Sequence, residues 1–411
     1  MLQSILFFAI VASVYGIIEY YGWQAIRTVI NPTNISKAKI IYWGISAGLL
    51  LMFMSYRPFL YKYMPKQLGT YLAVFFVVLL LSKLVVLLFL FPEDLTRLFK
   101  FTLAKFSSST STSGTGITRS EFLSKAALVA AAVPAGTLLY GVVVNAYNYQ
   151  FRKTTIKFPN LPDAFNGFKI VQLSDIHSGS FNKTEPIVEV IKKINSLNAD
   201  VILFTGDLVN NTSDEMDTFM DIFNQLKAKH GVFSITGNHD YGDYVPWDTP
   251  EAKVANFEKF KGIHKALGWD LLLNENRLIE RNGEKIALIG IENWGGGRFA
   301  KYGKLNKAYQ GTKEIPFKIL LSHDPSHWDA QVRGNYPDID LTLSGHTHGA
   351  QFGIENKWLK WSPSQYIYKQ WAGVYNEGKQ FLYVNRGFGF LGYPGRVGIL
   401  PEVAVLTLEK A

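Results

Sequence analysis

The sequence predicts an α/β domain that follows an all-α, multi-span membrane region, and three observations support this fold class. The first 150 residues contain four long apolar segments. From about Phe151, short apolar runs alternate with polar segments of helical period, which is typical of strands and helices in an α/β sheet. Clusters of His, Asp and Asn follow several of these runs, where ligands bind in α/β sheets. We therefore divide the chain into residues 1–150 and residues 151–411.

The four apolar segments of the first region predict four membrane-spanning helices. A span needs about 20 mostly apolar residues, and stretches such as residues 77–81, which are all Val or Leu, leave no polar face for a soluble bundle. The predicted spans cover residues 4–18, 40–56, 68–91 and 126–144, and the first is the shortest. Between the third and fourth spans, the Ser/Thr-rich residues near 107–117 predict a flexible linker.

The distribution of charge favours a membrane surface over a nucleic acid as the partner of this chain. The sequence has 42 Lys and Arg against 33 Asp and Glu, and 12 of the basic but only 4 of the acidic residues fall in the first 150. The remainder, with 30 basic and 29 acidic residues, is close to neutral, which excludes a general nucleic-acid binder. The absence of cysteine excludes disulfides and thiolate metal sites.

The basic residues of the predicted loops orient the C-terminal domain. The loops after the first and third spans carry eight Lys and Arg, and the segments on the opposite side carry six. The more basic side of a membrane protein faces the cytoplasm. The C-terminal domain is therefore expected outside the cytoplasm.

Eight apolar runs in the C-terminal domain predict strands, with two helices between the first three. The predicted strands are residues 169–173, 201–204, 232–235, 285–291, 317–321, 339–343, 381–384 and 403–408. The predicted helices are residues 185–197 and 215–229. This alternation predicts a sheet with its ligands at the carboxyl ends of the strands.

Polar side chains that follow five of these runs form one candidate metal site. A single Gly-Asp or Asn-His after a strand is usually an ordinary turn, but five of the eight histidines occupy such positions. The other three, His230, His264 and His327, are expected to be structural or to lie beside the substrate. The candidate ligands are Asp175, His177, Asp207, Asn238, His323, His346 and His348.

The composition of this ligand set predicts two divalent metal ions. Asp, Asn and His without Cys suit Mn, Fe, Zn or Mg, and seven side chains are too many for one ion. With one carboxylate bridging, they suit two ions about 3.5–4 Å apart, the spacing used for phosphate ester hydrolysis. Two such ions and two aspartates give the site a net positive charge. Each ion lowers the pKa of the water that it binds, so this water can act as a nucleophile near neutral pH. The expected reaction is the attack of a metal-bridging hydroxide on a phosphate ester.

The same residues, in the same order, resemble the five motifs of the calcineurin-like metallophosphoesterases. The motifs are Asp175-Ile176-His177, Gly206-Asp207, Gly237-Asn238-His239-Asp240, His323 and Gly345-His346-Thr347-His348. The resemblance covers roughly residues 155–411 and implies a four-layer αββα sandwich, with two mixed sheets face to face. The implied ligands of the first ion are Asp175, His177 and His348, those of the second are Asn238, His323 and His346, and Asp207 is the implied bridge.

The resemblance also implies roles for residues next to the metals. His239 is the implied catalytic residue, which stabilises the phosphate or protonates the leaving group, oriented by Asp240 or a nearby carboxylate.

Arg298 and Arg386 are candidate substrate-binding residues, with ordinary surface arginines as the alternative. Five later aromatic residues predict either an interfacial lip over the site or a packed β-rich insertion. They are Trp358, Trp361, Tyr366, Tyr368 and Trp371.

The continuation of the last motif, Gly349-Ala350-Gln351-Phe352-Gly353, together with Asn385-Arg386-Gly387, resembles a bacterial membrane-associated subgroup. Together with the predicted spans, which lie outside the resemblance, this indicates an integral protein of a bacterial inner or plasma membrane. The Asn-His pair and the complete ligand set predict the hydrolysis of phosphate esters and above all of phosphodiesters. A tethered domain favours a lipid or cell-envelope substrate. The alternatives are a phosphomonoesterase or lipid pyrophosphatase with the same metals, and a non-catalytic membrane sensor.

Overall fold

The computed structural model describes residues 2–56, 66–104, 119–297 and 299–411. The chain divides into two units, Met1–Tyr140 and Gly141–Ala411. The domain boundary predicted at residues 150 and 151 stays a prediction, and the predicted linker near 107–117 lies outside the described residues. The long helices are α1 (Leu2–Ile26), α2 (Ile35–Tyr56), α3 (Lys66–Ala104) and α4 (Arg119–Val143), the last of which continues into the second unit.

Apolar helices dominate the first unit. Within the described residues, three helices are long and apolar enough to cross a membrane, Pro32–Ser55, Leu68–Thr102 and Glu121–Val143. They overlap the second, third and fourth predicted spans. The first predicted span is helical, as part of α1, but is not one of these three. Apolar side chains such as Ile40 and Leu88 are 75% and 72% exposed, as expected of a surface that faces lipid.

A buried ion pair connects three helices of the first unit. Glu19 of α1 is 1% exposed, and its carboxylate accepts hydrogen bonds from Lys83 Nζ of α3 at 2.7 and 2.8 Å and from Ser46 Oγ of α2 at 2.5 Å. Gly22 leaves room for the Tyr42 hydroxyl, which donates to the Glu19 carbonyl oxygen at 3.0 Å, because a Cβ at Gly22 would lie 2.5 Å from that hydroxyl oxygen. A charged side chain in an apolar helix is costly unless it is paired. The pair therefore ties α1 to α2 and α3.

The second unit contains the predicted α/β domain. Its strands are β1 (Gln150–Phe158), β2 (Phe168–Leu173), β3 (Val201–Phe204), β4 (Val232–Ser234), β5 (Trp269–Leu271), β6 (Glu275–Arg281), β7 (Glu284–Gly290), β8 (Lys318–Leu321), β9 (Leu341–Ser344), β10 (Ile354–Glu355), β11 (Lys360–Trp361), β12 (Gly373–Glu377), β13 (Gln380–Val384) and β14 (Glu402–Lys410). Its helices are α5 (Glu185–Ser196), α6 (Met220–Phe223), α7 (Pro250–Leu267), α8 (Leu305–Ala308) and α9 (Arg333–Asn335).

In the part of the chain that the structure describes, these strands form two mixed six-stranded sheets and a small hairpin. The first sheet has the order β1-β14-β2-β3-β4-β5, in which β2 to β5 are parallel and β14 is antiparallel to β2. The second has the order β12-β13-β9-β8-β7-β6, in which β13, β9, β8 and β7 are parallel. Strands β10 and β11 pair as the hairpin. The parallel strands bring several carboxyl ends to one edge of each sheet.

Alternating side chains show that the two sheets pack face to face. In β2, Ile170 packs into the core between the sheets, whereas Val171 packs with side chains of α5 and α7 on the outer side. In β7, Leu288 faces the same central core, and Ile289 faces the other outer side. Successive side chains of a strand point to opposite faces. The layers are therefore helix, sheet, sheet and helix, and the predicted αββα sandwich is confirmed.

The eight predicted strands correspond to β2, β3, β4, β7, β8, β9, β13 and β14, with ends that differ by at most two residues. The first predicted helix is α5, but the helix predicted over 215–229 is wrong. That stretch contains a short 3-10 turn, Ser213–Met216, and the single-turn α6. The Glu215 carboxylate accepts the backbone N–H of Asn210 at 2.6 Å and so closes the loop after β3 instead of starting a helix.

Helices α7, α8 and α9 and strands β1, β5, β6, β10, β11 and β12 are not among the predicted elements. The signals for α7 are nevertheless local. Thr249 Oγ1 accepts the backbone N–H of Ala252 at 3.2 Å at the start of the helix, and Gly268 ends it with a φ of 73°. A Thr-Pro-Glu start and a Gly stop are ordinary helix boundaries.

Replacing Lys83 with Met in the full-length protein is expected to lower the free energy of unfolding by roughly 3–5 kcal/mol, because the Glu19 carboxylate would stay buried without its partner. The double variant Glu19→Gln/Lys83→Met removes both charges and should recover most of that loss. Thermal unfolding in detergent measures both effects, with Lys39→Met on the exposed side of α2 as the control. A double variant as unstable as the single one would contradict the pairing.

Candidate metal centre

Ligand-type side chains from both sheets meet at the carboxyl ends of the parallel strands. Asp175 follows β2, Asp207 follows β3 and Asn238 follows β4 in the first sheet. His323 follows β8 and His346 follows β9 in the second sheet. Because the sheets share one central core, loops from both contribute to a single cluster at this edge.

The first group that could hold a metal ion consists of Asp175, His177 and His348, all of them buried. His348 Nε2 lies 3.1 Å from His177 Nε2 and 3.3 Å from Asp175 Oδ1. Ligands bound to one ion at about 2.1 Å lie about 3.0–3.4 Å from one another. These three side chains therefore have the spacing of ligands that share an ion.

The second group consists of Asp207, His323 and His346. His323 Nε2 lies 3.1 Å from Asp207 Oδ2 and 3.3 Å from His346 Nδ1. Asp207 Oδ2 is also 3.5 Å from His177 Nε2 of the first group. The carboxylate of Asp207 thus lies between the two groups, where it could be shared by two ions.

Neighbouring groups determine which ring nitrogen each histidine of the second group presents. His323 Nδ1 donates to the carbonyl oxygen of Thr205 at 2.7 Å, which leaves Nε2 to face Asp207. His346 is turned the other way, because its Nε2 lies 2.8 Å from the hydroxyl of Tyr368 and its Nδ1 faces the group. Metal-binding histidines are commonly oriented by such a contact at the second ring nitrogen.

Asn238 has an unpaired oxygen that suits a cation. Its Nδ2 donates to the hydroxyl of Tyr244 at 2.9 Å, whereas its buried Oδ1 has no hydrogen-bond partner among the described residues. An unsatisfied buried acceptor costs about 1–3 kcal/mol, and a metal ion would remove that cost. With the two groups described above, the residues present fit a pair of divalent ions.

Five of the seven candidate ligands have a left-handed backbone. They are Asp175, His177, Asp207, His346 and His348, with φ between 49° and 70°. Such a conformation costs of order 1–3 kcal/mol for a residue other than Gly and is concentrated at functional sites. The loops are therefore held in costly conformations that place these five side chains in the cluster.

Two glycines allow the loops to approach the carboxylates. A Cβ at Gly345 would lie 2.2 Å from Asp175 Oδ2, and a Cβ at Gly237 would lie 2.2 Å from Asp207 Oδ1. A residue larger than Gly at either position would therefore force a candidate ligand to move.

Burial and mutual contact shift the pKa values of the cluster. Burial by itself would raise the pKa of the Asp207 carboxyl, but the adjacent His323 and His239 hold it well below its usual range. Burial would lower the pKa of His323, but the charge of Asp207 outweighs it and raises that pKa to about 10. Burial lowers the pKa of His177 to about 3. The cluster thus favours positive charge beside Asp207, which bound cations would supply in place of a proton.

Comparisons with known proteins identify the family. Residues 3–146 match a family model described as a probable calcineurin-like phosphoesterase transmembrane domain, and residues 168–350 match the calcineurin-like phosphoesterase model. An uncharacterized metallophosphoesterase of Bacillus subtilis, YkuE, is 31% identical over 69% of this chain and 94% of its own length. The chain belongs to the calcineurin-like metallophosphoesterases.

Two further relatives come from very different organisms. A transmembrane protein with a metallophosphoesterase domain from zebrafish, Danio rerio, is 31% identical over 69% of this chain and 63% of its own length. The UDP-2,3-diacylglucosamine pyrophosphatase LpxG of Chlamydia trachomatis is 27% identical over 56% of this chain and 81% of its own length. The similarity to each thus extends over more than half of this chain.

Family membership confirms three predictions. The protein is a hydrolase that acts on phosphoester bonds, and as a calcineurin-like metallophosphoesterase it uses two divalent metal ions. The transmembrane-domain match and the three apolar helices found in the described residues make it an integral membrane protein. The assignment of individual ligands to each ion stays a prediction.

The predicted catalytic residue of this metallophosphoesterase, His239, lies beside the metal groups. Its ring centroid is 5.0 Å from that of His177, and its backbone N–H donates to Asp207 Oδ1 at 2.9 Å. Its Nδ1 donates to the carbonyl oxygen of Asn210 at 2.7 Å. A backbone carbonyl, and not a carboxylate, therefore orients the imidazole.

Asp240, predicted to orient that imidazole, has a different role in the described structure. Its Oδ2 accepts the backbone N–H groups of Gly237 at 2.7 Å and Asp207 at 2.9 Å, and its Oδ1 accepts that of Leu208 at 2.8 Å. The carboxylate thus joins the loops after β3 and β4. This corrects the prediction, because Asp240 positions the backbone that carries Asp207 and Asn238 and does not bond His239.

Arg386, predicted to bind substrate, is buried in ion pairs. Its guanidinium donates to Glu402 Oε2 at 2.7 Å and to Glu355 Oε2 at 2.9 Å, and the residue is 3% exposed. The two carboxylates accept the guanidinium N–H groups that would otherwise donate to a phosphate. The prediction that Arg386 binds substrate is therefore corrected. The other candidate, Arg298, lies outside the described residues.

Two tyrosines outside the motifs contact the centre. The ring of Tyr244 lies 4.6 Å from the ring of His239, and its hydroxyl accepts the Asn238 amide. Tyr368 contacts His346, as described above. Tyr244 follows Asn238 in the same loop, so the sequence alone could have indicated this contact. Tyr368 lies 22 residues after His346, and only the fold of the intervening segment brings them together.

The three histidines expected to be structural or to lie beside the substrate lie outside both metal groups. His264 is buried in α7, with its Nδ1 3.1 Å from the carbonyl oxygen of Phe260. His327 lies between Ser322 and Gln331. Burial lowers the pKa of both to about 4, so each is a neutral side chain.

Gly345→Ala is expected to reduce the metal content of the purified protein and to lower its hydrolytic activity about 100-fold, because the new Cβ would displace Asp175 from its position. Gly334→Ala is the matched control, since a Cβ there would meet nothing within 4 Å. Mass spectrometry of bound metals and a hydrolysis assay measure the two effects. A Gly345→Ala protein with full metal content and activity would show that the loop is not held as described.

Arg386→Met is expected to lower the free energy of unfolding by roughly 3–5 kcal/mol, because Glu355 and Glu402 would lose a shared buried partner. Arg277→Met, which breaks a more exposed pair between Arg277 of β6 and Asp270 of β5, should cost less than about 1 kcal/mol. Chemical unfolding in detergent compares the two. Unchanged stability with a raised KM would instead restore Arg386 as a substrate-binding residue.

Proposed function

We propose that this metallophosphoesterase hydrolyses phosphodiester bonds in lipid or cell-envelope substrates, at the extracytoplasmic face of a bacterial inner or plasma membrane. The observation that carries the proposal is the position of Asp207, whose Oδ2 lies 3.5 Å from His177 of one group and 3.1 Å from His323 of the other. A carboxylate shared in this way would hold two ions close enough to act on one phosphate.

The charge of the centre suits a phosphodiester, which carries a single negative charge. Two divalent ions bring four positive charges, and the carboxylates of Asp175 and Asp207 remove two of them. The histidine ligands, when neutral, add none. The remaining positive charge attracts the substrate and stabilises the further negative charge that develops in the transition state.

The side chains have distinct roles in this proposal. When bound, the two ions supply Lewis acidity and lower the pKa of water. The residues that hold them are Asp175, His177, Asp207, Asn238, His323, His346 and His348. His239 Nδ1 donates to the Asn210 carbonyl, so Nε2 faces the substrate, and in the protonated imidazolium form it can donate to the phosphate or give its proton to the leaving oxygen. Tyr244 packs on the His239 ring and keeps it in this orientation.

A lipid-linked substrate is favoured by the organisation of the chain. The membrane helices keep the centre near a bilayer, which raises the effective concentration of membrane substrates. The Chlamydia relative is named for a pyrophosphatase activity on a diacylated sugar nucleotide. Pyrophosphate hydrolysis by the same metals is therefore the second candidate function.

The full-length protein with Mn²⁺ is expected to hydrolyse bis-p-nitrophenyl phosphate, and His239→Ala and Asp207→Ala should each lower kcat/KM at least about 100-fold. The two losses have different causes. Asp207→Ala should also lose bound metal, whereas His239→Ala should retain it. Release of p-nitrophenol and the metal content of each protein separate these effects.

His230→Ala is the control, because His230 lies outside both metal groups and packs beside Phe168. Full activity in both active-site variants would contradict the proposal. No hydrolysis by protein with two bound ions would instead support a non-catalytic sensor. A higher kcat/KM for a diacylated nucleoside pyrophosphate than for the diester would favour the second candidate.

A further inference from the structure

Exposed apolar side chains of the second unit are concentrated in one short stretch. Among the described residues after position 150, ten large apolar side chains are exposed, and six of them lie between positions 352 and 367. These six, which we call the apolar rim, are Phe352, Ile354, Trp358, Leu359, Tyr366 and Ile367. Trp358, Tyr366 and Ile367 are 83%, 75% and 78% exposed. A contiguous apolar surface of this kind marks an interaction site.

One residue, Trp361, connects the rim into a continuous surface. It pairs with Ile354 across the β10–β11 hairpin, and its ring centroid lies 6.4 Å from that of Phe352. Its Nε1 donates to the hydroxyl of Tyr366 at 3.2 Å. Trp358 lies in the turn of the hairpin. The hairpin and the short 3-10 helix that follows it therefore present their apolar side chains together.

The rim adjoins the metal centre and is firmly supported. Ser362 Oγ, next to Trp361, donates to the carbonyl oxygen of Gly349 at 2.7 Å. Tyr368, next to Ile367, contacts His346. Trp371 is 5% exposed and packs with Ile399 in a small core. The end of this aromatic segment is thus packed and its hairpin is exposed, and the expected interfacial lip stays a prediction.

We propose that the apolar rim docks on the surface of the lipid bilayer and brings lipid-borne phosphate esters to the adjacent metal centre. The reaction at that centre rests on the function proposed above. We infer that the bilayer is the partner of the rim, because only residues 144–149 separate the membrane-type helix α4 from β1. The second unit therefore stays close to lipid. Exposed Trp and Tyr side chains are those enriched at membrane interfaces.

The charges around the rim fit anionic headgroups. Lys357 Nζ lies 4.6 Å from the ring centroid of Trp358, and the Lys369 side chain is 72% exposed, although its Nζ lies 3.9 Å from Asp329 Oδ2. The acidic residue of the hairpin, Glu355, is engaged by Arg152 and Arg386. The rim therefore presents apolar and basic groups together, the combination that binds anionic membranes.

A single label in the rim tests this docking. The chain has no cysteine, so Ile367→Cys places one nitrobenzoxadiazole fluorophore in the full-length protein. Val254→Cys is the matched control, because Val254 is an apolar residue of α7 that is 62% exposed. Both proteins are reconstituted in vesicles of phosphatidylethanolamine and phosphatidylglycerol that carry nitroxide-labelled lipid. Quenching by the nitroxide is expected to be several-fold stronger at position 367 than at position 254.

A second pair of variants tests the role of the rim itself. Trp358→Ser added to the Ile367→Cys protein should reduce the quenching, whereas Leu278→Ser, an exposed apolar residue on β6, should leave it unchanged. Equal quenching at positions 367 and 254 would overturn the proposal. So would a label at 367 that is shielded from aqueous iodide but not quenched by lipid, which would indicate a protein partner. Hydrolysis of bis-p-nitrophenyl phosphate by the unlabelled protein is measured in the same vesicles. Quenching without hydrolysis would support docking and reject the proposed function alone.

Discussion

The buried carboxylate of Asp207 is the constraint on which the rest of the catalytic unit depends. One of its oxygens faces a histidine from each metal group, and the other accepts the backbone N–H of His239. A buried carboxylate is costly unless it is paired and hydrogen-bonded. The loops that carry His177, His323 and His239 must therefore close around it together, and bound cations would complete the compensation of its charge.

The two-sheet architecture explains how strained loops can persist around this carboxylate. Each candidate ligand follows a strand whose side chains are locked in the core between the sheets or in an outer core. Left-handed conformations at residues other than Gly persist only where the surrounding structure enforces them. Asp240 contributes directly, because its carboxylate ties the loop after β4 to the loop after β3. The cost of the strain is thus offset by burial elsewhere in the sandwich.

Both units bury charge in compensated sets. In the membrane unit Glu19 is paired with Lys83, and in the catalytic unit Arg386 is shared between Glu355 and Glu402. Since these carboxylates engage Arg386, its positive charge is compensated within the fold. Apolar side chains show the complementary pattern, because they are exposed mainly on the membrane helices and on the rim beside the centre. The surface chemistry of the chain is therefore that of a protein that works at a bilayer.

The sequence by itself determined the membrane region, the central strands and the positions of the ligands at strand ends. These are local properties, because strand period, apolar length and turn residues can be read within about 20 neighbouring positions. Only the tertiary structure decided that Asp207 lies between the two groups, that Asp240 faces backbone, that Arg386 is engaged in ion pairs and that Glu19 meets Lys83. These facts depend on contacts between residues far apart in the chain, which follow from strand order and helix packing and leave no trace in local periodicity.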